Sequence, residues 1–175
     1  MRILYLHGIG DRLGGRLPRF LESLGWTVVE PELPNDNFDN CVQVAQRAFD
    51  ECQPDLVLGY SMGGSTAISL SRTSVQETTK EHNLASGNTP QVLIAPSWKL
   101  RCPEKLVKPH TIIINAEDDF LVPPEDAKEL LALSGLSEAK HLVIAGSGHG
   151  IFDEPILEVI RQQIERAVSM PQGED

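Results

Sequence analysis

Three residues of this chain have the chemistry and surroundings to transfer an acyl group: a serine, a histidine and an acid. Ser61 lies in Gly59-Tyr60-Ser61-Met62-Gly63, the spacing Gly-x-Ser-x-Gly, directly after the apolar run Leu56-Val57-Leu58. A serine hydroxyl is a weak nucleophile until a base takes its proton. It is best presented on a sharp strand-to-helix turn, where it projects clear of the sheet and a helix N-terminus lies under the developing negative charge. The backbone N–H of Met62, next after the serine, is the expected helix-side donor to an oxyanion. His149 is the candidate base, flanked by Gly148 and Gly150 and placed after the apolar run that starts at His141. Asp118 and Asp119 follow the β-branched run Thr111 to Ile114. Either carboxylate has the chemistry to hold an imidazole tautomer and to stabilise the imidazolium. His82 falls in a polar stretch, and His110 and His141 fall at strand starts, so all three are expected at the surface, away from this chemistry.

These residues need elements to position them. Short apolar runs at 2–6, 27–29, 56–58, 91–95, 111–114 and 141–145 read as strands. Between them lie stretches with helical spacing. Leu17, Phe20, Leu21 and Leu24 form one face, with Pro18 near its start and Gly25 past its end. Asn40 and Gln43 resemble a capping box opening a helix whose inward face is Val42, Ala45, Phe49 and Cys52. Pro124 starts a helix with acids in its first turn, and Gly135 ends it. Asp153 is expected to cap a last helix facing inward through Ile156, Leu157, Ile160, Ile164 and Val168. Residues 74–90 are polar and aperiodic, expected as a helix extension and surface loop, and 96–109 as a connection with room for a short helix. Strands alternating with helices, and apolar on both faces, specify a parallel sheet with helices on each side, a three-layer αβα arrangement. In such sheets ligands bind at the carboxyl ends of the strands. Ser61, the Asp118–Asp119 pair and His149 each follow a strand, as does His7-Gly8-Ile9-Gly10.

The chain order serine, acid, histidine, with His7-Gly8, Gly59-x-Ser61-x-Gly63, Asp119-x-x-Val122-Pro123 and Gly148-His149, resembles the α/β-hydrolase superfamily. The likeness spans essentially the whole chain and is to small serine esterases without a cap, of YqiA-like or dienelactone-hydrolase-like size. It implies one domain over residues 1–175, a minimal fold of about six mostly parallel strands in the order 2-1-3-4-5-6, and no cap, since the 96–109 connection is too short to hold one. In families of this type the acid stands three residues before Val-Pro, which selects Asp119 over Asp118. The family's second oxyanion donor, just after His-Gly, corresponds to the Ile9 N–H, with the His7 ring structural. Trp98, Phe120 and Leu121 follow strands and are expected either to line an acyl or alcohol pocket or to pack under loops; Arg12, beside the oxyanion loop, is expected in solvent. The implied activity is hydrolysis of a small-molecule carboxylic ester through an acyl-enzyme, without metal or other cofactor. Thioesterase or acyltransferase chemistry on the same three residues, and a non-catalytic binding module on this fold, are the alternatives.

Composition narrows the field. The 175 residues carry a formal net charge of −10, which opposes nucleic acid or an anionic membrane as partner. No apolar run reaches the length of a membrane span, and the N-terminus has no signal-peptide pattern, so a cytoplasmic protein is expected. Nothing in the sequence reads out a homo-oligomer. Cys41, Cys52 and Cys102 are expected as free thiols in or near the core. On one helix, Cys41 and Cys52 would stand about 16 Å apart, beyond disulfide reach. Gly8-Ile9-Gly10 with Glu30 about twenty residues on imitates a dinucleotide fingerprint, but Leu13 stands where the third glycine belongs. No Gly-Lys-Ser/Thr follows a strand, so a P-loop is excluded.

Overall fold

The structure, a computed structural model, describes residues 1–34, 37–77, 89–103, 106–150 and 152–170, with the side chains of 71–77 not described. Six strands, β1 (Arg2–Leu6), β2 (Thr27–Val29), β3 (Leu56–Tyr60), β4 (Gln91–Ile94), β5 (Thr111–Ala116) and β6 (His141–Ile144), form one sheet. The order is β2-β1-β3-β4-β5-β6 and every pairing is parallel. Among the described residues the helices are α1 (Arg16–Ser23), α2 (Phe38–Cys52), α3 (Met62–Glu77), α4 (Trp98–Arg101), α5 (Pro124–Leu133) and α6 (Glu154–Ser169), with a 3-10 turn at Glu138–Lys140.

Strand alternation builds two cores. Leu4 and Leu6 of β1 face one side, joining Val57, Leu93 and Ile113 under α2, α3 and α5. Ile3 and Tyr5 face the other, joining Leu56, Leu58 and Ile112 under α1 and α6. The first crossover runs to β2 on one side of β1 and the next returns to β3 on the other. The strand order therefore reverses between β1 and β3, and that reversal opens a crevice at their carboxyl ends. Leu6 pairs with Gly59 there, so the loop after β1 and the turn holding Ser61 emerge side by side.

Several local expectations are corrected. The cap of α2 is Asn37, not Asn40: its side-chain oxygen accepts from the amides of Asp39 at 2.8 Å and Asn40 at 3.3 Å. Both sites carry an asparagine, and only the turn geometry chooses between them. Asp153 stands at the N-cap of α6, but its side chain makes no cap bond and faces Arg16, 3.4 Å away. Val168 points out, and Ala167 takes the buried place on α6. His141 is half-buried, bonding Asn115 Oδ1 through Nε2 at 3.2 Å, and burial holds its pKa below the usual histidine value. α3 runs on to Glu77, and the stretch 78–88, with His82, lies outside the described residues. Cys41 and Cys102 are buried and Cys52 partly so, and none of the three is joined in a disulfide among the described residues.

Candidate active site

The turn after β3 is dictated by its glycines. A Cβ on Gly63 would overlap the carbonyl of Leu6, and one on Gly59 would stand 2.7 Å from the Gly63 carbonyl oxygen. α3 can sit this close to both β1 and β3 only with no side chain at either position. Between them Ser61 takes a left-handed conformation, φ 52°, which a residue with a Cβ adopts only when its surroundings enforce it. The surroundings are the Ser61 amide bonded to the Ile94 carbonyl at 2.9 Å and the Ser61 carbonyl bonded to the Ser97 amide at 3.2 Å. The strained turn lifts the hydroxyl above the sheet edge at the head of α3.

Three side chains from three strand ends meet there. His149 Nε2 lies 2.9 Å from Ser61 Oγ, and its Nδ1 lies 2.8 Å from Asp119 Oδ2. A carboxylate only accepts, so Nδ1 carries the proton and Nε2 is left with a lone pair facing the serine hydroxyl. Asp119 is held from its other side: Oδ1 accepts from the amides of Leu121 and Val122, each at 2.9 Å. Asn115 braces that loop, donating to the Val122 carbonyl at 3.0 Å. Asp118, on the same loop, goes elsewhere; its Oδ1 accepts from the Gly148 amide at 2.9 Å. Adjacent carboxylates thus have separate partners, the imidazole for Asp119 and the main chain of its loop for Asp118.

The β1 loop bends back over the same point. His7 is buried; Nδ1 lies 2.8 Å from the Gly8 carbonyl, and Nε2 accepts from the Leu33 amide at 3.1 Å. That pair of bonds requires the Nδ1–H tautomer. The Gly8 amide is taken by Asp11 Oδ2 at 3.0 Å. The next amide, Ile9, has no acceptor among the described residues. The Met62 amide is the first N–H of α3, where a helix has no internal acceptor. Asp11 was missed by sequence reasoning, although an aspartate three residues after a glycine is a turn signal in its own right.

The peripheral candidates separate by exposure. Trp98, expected among the substrate contacts or under loops, takes the second place. It is 3% exposed, its indole N–H donates to the Asp126 carbonyl at 3.0 Å, and it packs in the core with Ala127 and Leu130. Phe120, 82% exposed, and Leu121, 58%, stand out from the β5 loop, and Ile9, 52%, from the β1 loop. Arg12 and Glu30 line a separate cavity of about 150 Å³ with Tyr5, Asp11 and Phe152. Glu30 is bound to the loop itself, accepting from the Gly14 amide at 2.7 Å, and burial raises its pKa. α1 begins only at Arg16, so its N-terminus does not meet Gly8-Ile9-Gly10 as a dinucleotide site would require. Among the described residues no group of three or more histidines, cysteines or acids has the arrangement of a metal site.

No protein-family model and no curated protein matches the sequence. Solved structures match it in fold. A protein of the alpha/beta superfamily of hydrolases from Xanthomonas campestris pv. campestris superposes with a TM-score of 0.68 at 18% identity, covering 97% of this chain and 98% of its own. A monoacylglycerol lipase from Paleococcus ferrophilus gives 0.68 at 16% identity, over 96% of this chain and 94% of its own. MGS-MChE2, an alpha/beta hydrolase enzyme from the sediment metagenome of the Mar Chica lagoon in Morocco, gives 0.66 at 19%, over 95% and 90%.

Proposed function

We propose that this chain, which has a minimal α/β-hydrolase fold, is a serine hydrolase that cleaves carboxylic esters through an acyl-enzyme. The observation that carries the reading is the continuous hydrogen-bonded path Ser61 Oγ to His149 Nε2, and His149 Nδ1 to Asp119 Oδ2. In the proposed cycle Ser61 Oγ attacks the ester carbonyl carbon and its proton passes to His149 Nε2. The carbonyl electron pair moves to oxygen, where the Ile9 and Met62 amides receive it. Each such donor contributes about 10²–10³ in rate in comparable sites. As the tetrahedral species collapses, the bond to the alcohol oxygen breaks and His149 returns the proton to that oxygen. Water, deprotonated by His149, then attacks the acyl carbon; the bond to Ser61 Oγ breaks, His149 returns the proton to Oγ, and the acid leaves. Asp119 keeps the imidazole in the Nδ1–H tautomer throughout and stabilises its cationic form. Every proton moved in this cycle starts on Ser61 or on water.

The monoacylglycerol lipase among the structural neighbours favours an ester over an amide as the substrate. Exposed Ile9, Phe120 and Leu121, on loops leaving β1 and β5, suit the apolar part of an acyl ester. The test is incubation of the folded protein with a fluorophosphonate probe and, separately, with a short-chain nitrophenyl ester. Labelling at Ser61 and turnover, both abolished in Ser61→Ala, are expected. A wild-type protein that neither labels nor turns over any of a panel of esters and thioesters sinks the hydrolase reading and leaves a binding module.

A further inference from the structure

One side chain outside these three residues adjoins the serine turn and touches both the β1 loop and the histidine loop. Tyr60 is the last residue of β3, immediately before Ser61, and is buried. Its hydroxyl donates to the carbonyl of His149 at 2.9 Å. Its ring centroid lies 5.3 Å from that of the His149 imidazole, tilted by 36°. Phe152 meets it edge-on at 4.8 Å. On the remaining side the ring lies against Gly8, where a Cβ would stand 3.0 Å from two ring carbons. The serine turn, the β1 loop and the histidine loop therefore converge on a single phenol.

The histidine loop needs such a support. Gly146, Ser147 and Gly148 have φ of 59°, 122° and 56° in succession, a path that regular structure does not provide. A loop of this kind, rich in glycine, has much conformational freedom to lose when it is ordered. The main chain of 148–149 is tied down by two side chains from different strand ends: Asp118 accepts from the Gly148 amide, and Tyr60 donates to the His149 carbonyl. Burial, then the charges of Asp11 and Asp119, push the Tyr60 phenol up to about 12. It therefore stays a donor across the neutral range.

We infer that Tyr60 is a positioning residue: its hydroxyl anchors the His149 main chain so that Nε2 meets Ser61 Oγ and Nδ1 meets Asp119 Oδ2, with Asp118 bracing the same loop through Gly148. The catalytic part of this inference rests on the ester-hydrolase reading; the positioning part has its own readout.

Tyr60→Phe removes the hydroxyl and keeps the ring against Gly8, His149 and Phe152. Small misplacement of a catalytic group costs up to about 10² in rate, so kcat is expected to fall about 10- to 100-fold with KM within about twofold and the unfolding midpoint close to wild type. In a His149→Ala background the same substitution is expected to leave the residual rate unchanged, because Tyr60 acts through His149. An equal loss in both backgrounds overturns the inference in favour of a general packing role. The independent readout is the low-field proton NMR signal of His149 Nδ1–H, shared with Asp119, which Tyr60→Phe should broaden or shift. Asp118→Ala, which removes the second tie and leaves the phenol in place, should do the same to a lesser degree. If wild type is inert toward every ester yet Tyr60→Phe perturbs that proton, the hydrolase reading falls and the positioning role stands. If wild type turns over and Tyr60→Phe matches it with an unchanged signal, the positioning role falls alone.

Discussion

Asp118 and Asp119 have the same functional group, one residue apart, and the backbone gives them opposite employment. The Asp119 side chain is fully buried and divides its oxygens between the imidazole and two amides, whereas Asp118 is exposed and serves one amide. Substitution should separate them sharply. Asp119→Asn is expected to lower kcat by about 10⁴, because an amide favours the wrong imidazole tautomer. Asp118→Asn should stay near the wild-type rate, since an asparagine oxygen still accepts from Gly148. Steady-state turnover of a nitrophenyl ester by the two variants checks this; equal losses would dissolve the assignment. Glu30 offers a second case at this scale. One carboxylate oxygen takes the Gly14 amide, the other is buried without a partner among the described residues, and burial raises the pKa. A buried charge without a full set of partners costs stability. Glu30→Gln keeps the acceptor for Gly14 and removes the charge, so its stability at neutral pH is expected to equal or exceed wild type, read from the urea unfolding midpoint.

At the level of elements, the contact between the head of α3 and the end of β1 is the tightest point of the site. Gly63 has the Leu6 carbonyl where a Cβ would go, and that neighbour is backbone that cannot swing aside. Gly63→Ala is expected to destabilise by at least about 1–3 kcal/mol, the usual cost of overpacking. It should also push the β1 loop away from Ser61 and so lower turnover in the fraction that folds. Thermal unfolding together with fluorophosphonate labelling rate checks both effects. Gly135 lies in open space in the left-handed region and should behave differently: alanine there meets no neighbour among the described residues, but its Cβ is strained by about 1–2 kcal/mol at that φ, so it is expected to cost stability and leave the labelling rate unchanged.

Across the whole molecule, the parallel sheet collects the carboxyl ends of its strands on one edge and so brings Tyr60 and His149, 89 positions apart, into one hydrogen bond. It also buries two tyrosines, Tyr5 and Tyr60, on the α1 and α6 face, and burial raises both phenols above their usual range, Tyr60 to about 12. A phenol whose folded pKa is raised supports the fold fully below the unfolded value near 10 and loses that support as pH climbs through the folded value. Stability is therefore expected to fall between about pH 10 and 12, and to fall less steeply in Tyr60→Phe. Urea midpoints at pH 8 and pH 11 for the two proteins test the sign.

The alternation of short Val/Ile/Leu runs with helical spacing was enough to specify a parallel αβα sheet, because a strand buried on both faces has no polar face to alternate. That Ser61 and His149 stand at the carboxyl edge of the sheet was legible too, since Gly-x-Ser-x-Gly and the glycine-flanked histidine are local patterns set by local backbone demands. Chemistry alone left Asp118 and Asp119 open; the resemblance to a family whose acid stands three residues before Val-Pro pointed to Asp119, which lies 2.8 Å from the imidazole. What stayed hidden depended on contacts between distant segments. Nothing local distinguishes Asn37 from Asn40 as a cap, or an indole that lines a pocket from one that packs against α5. Nothing local reveals that Asp118 holds Gly148 or that the tyrosine preceding Ser61 reaches His149. Those bonds exist only because strands far apart in sequence end side by side in space, so tertiary structure alone decided which polar atoms become partners.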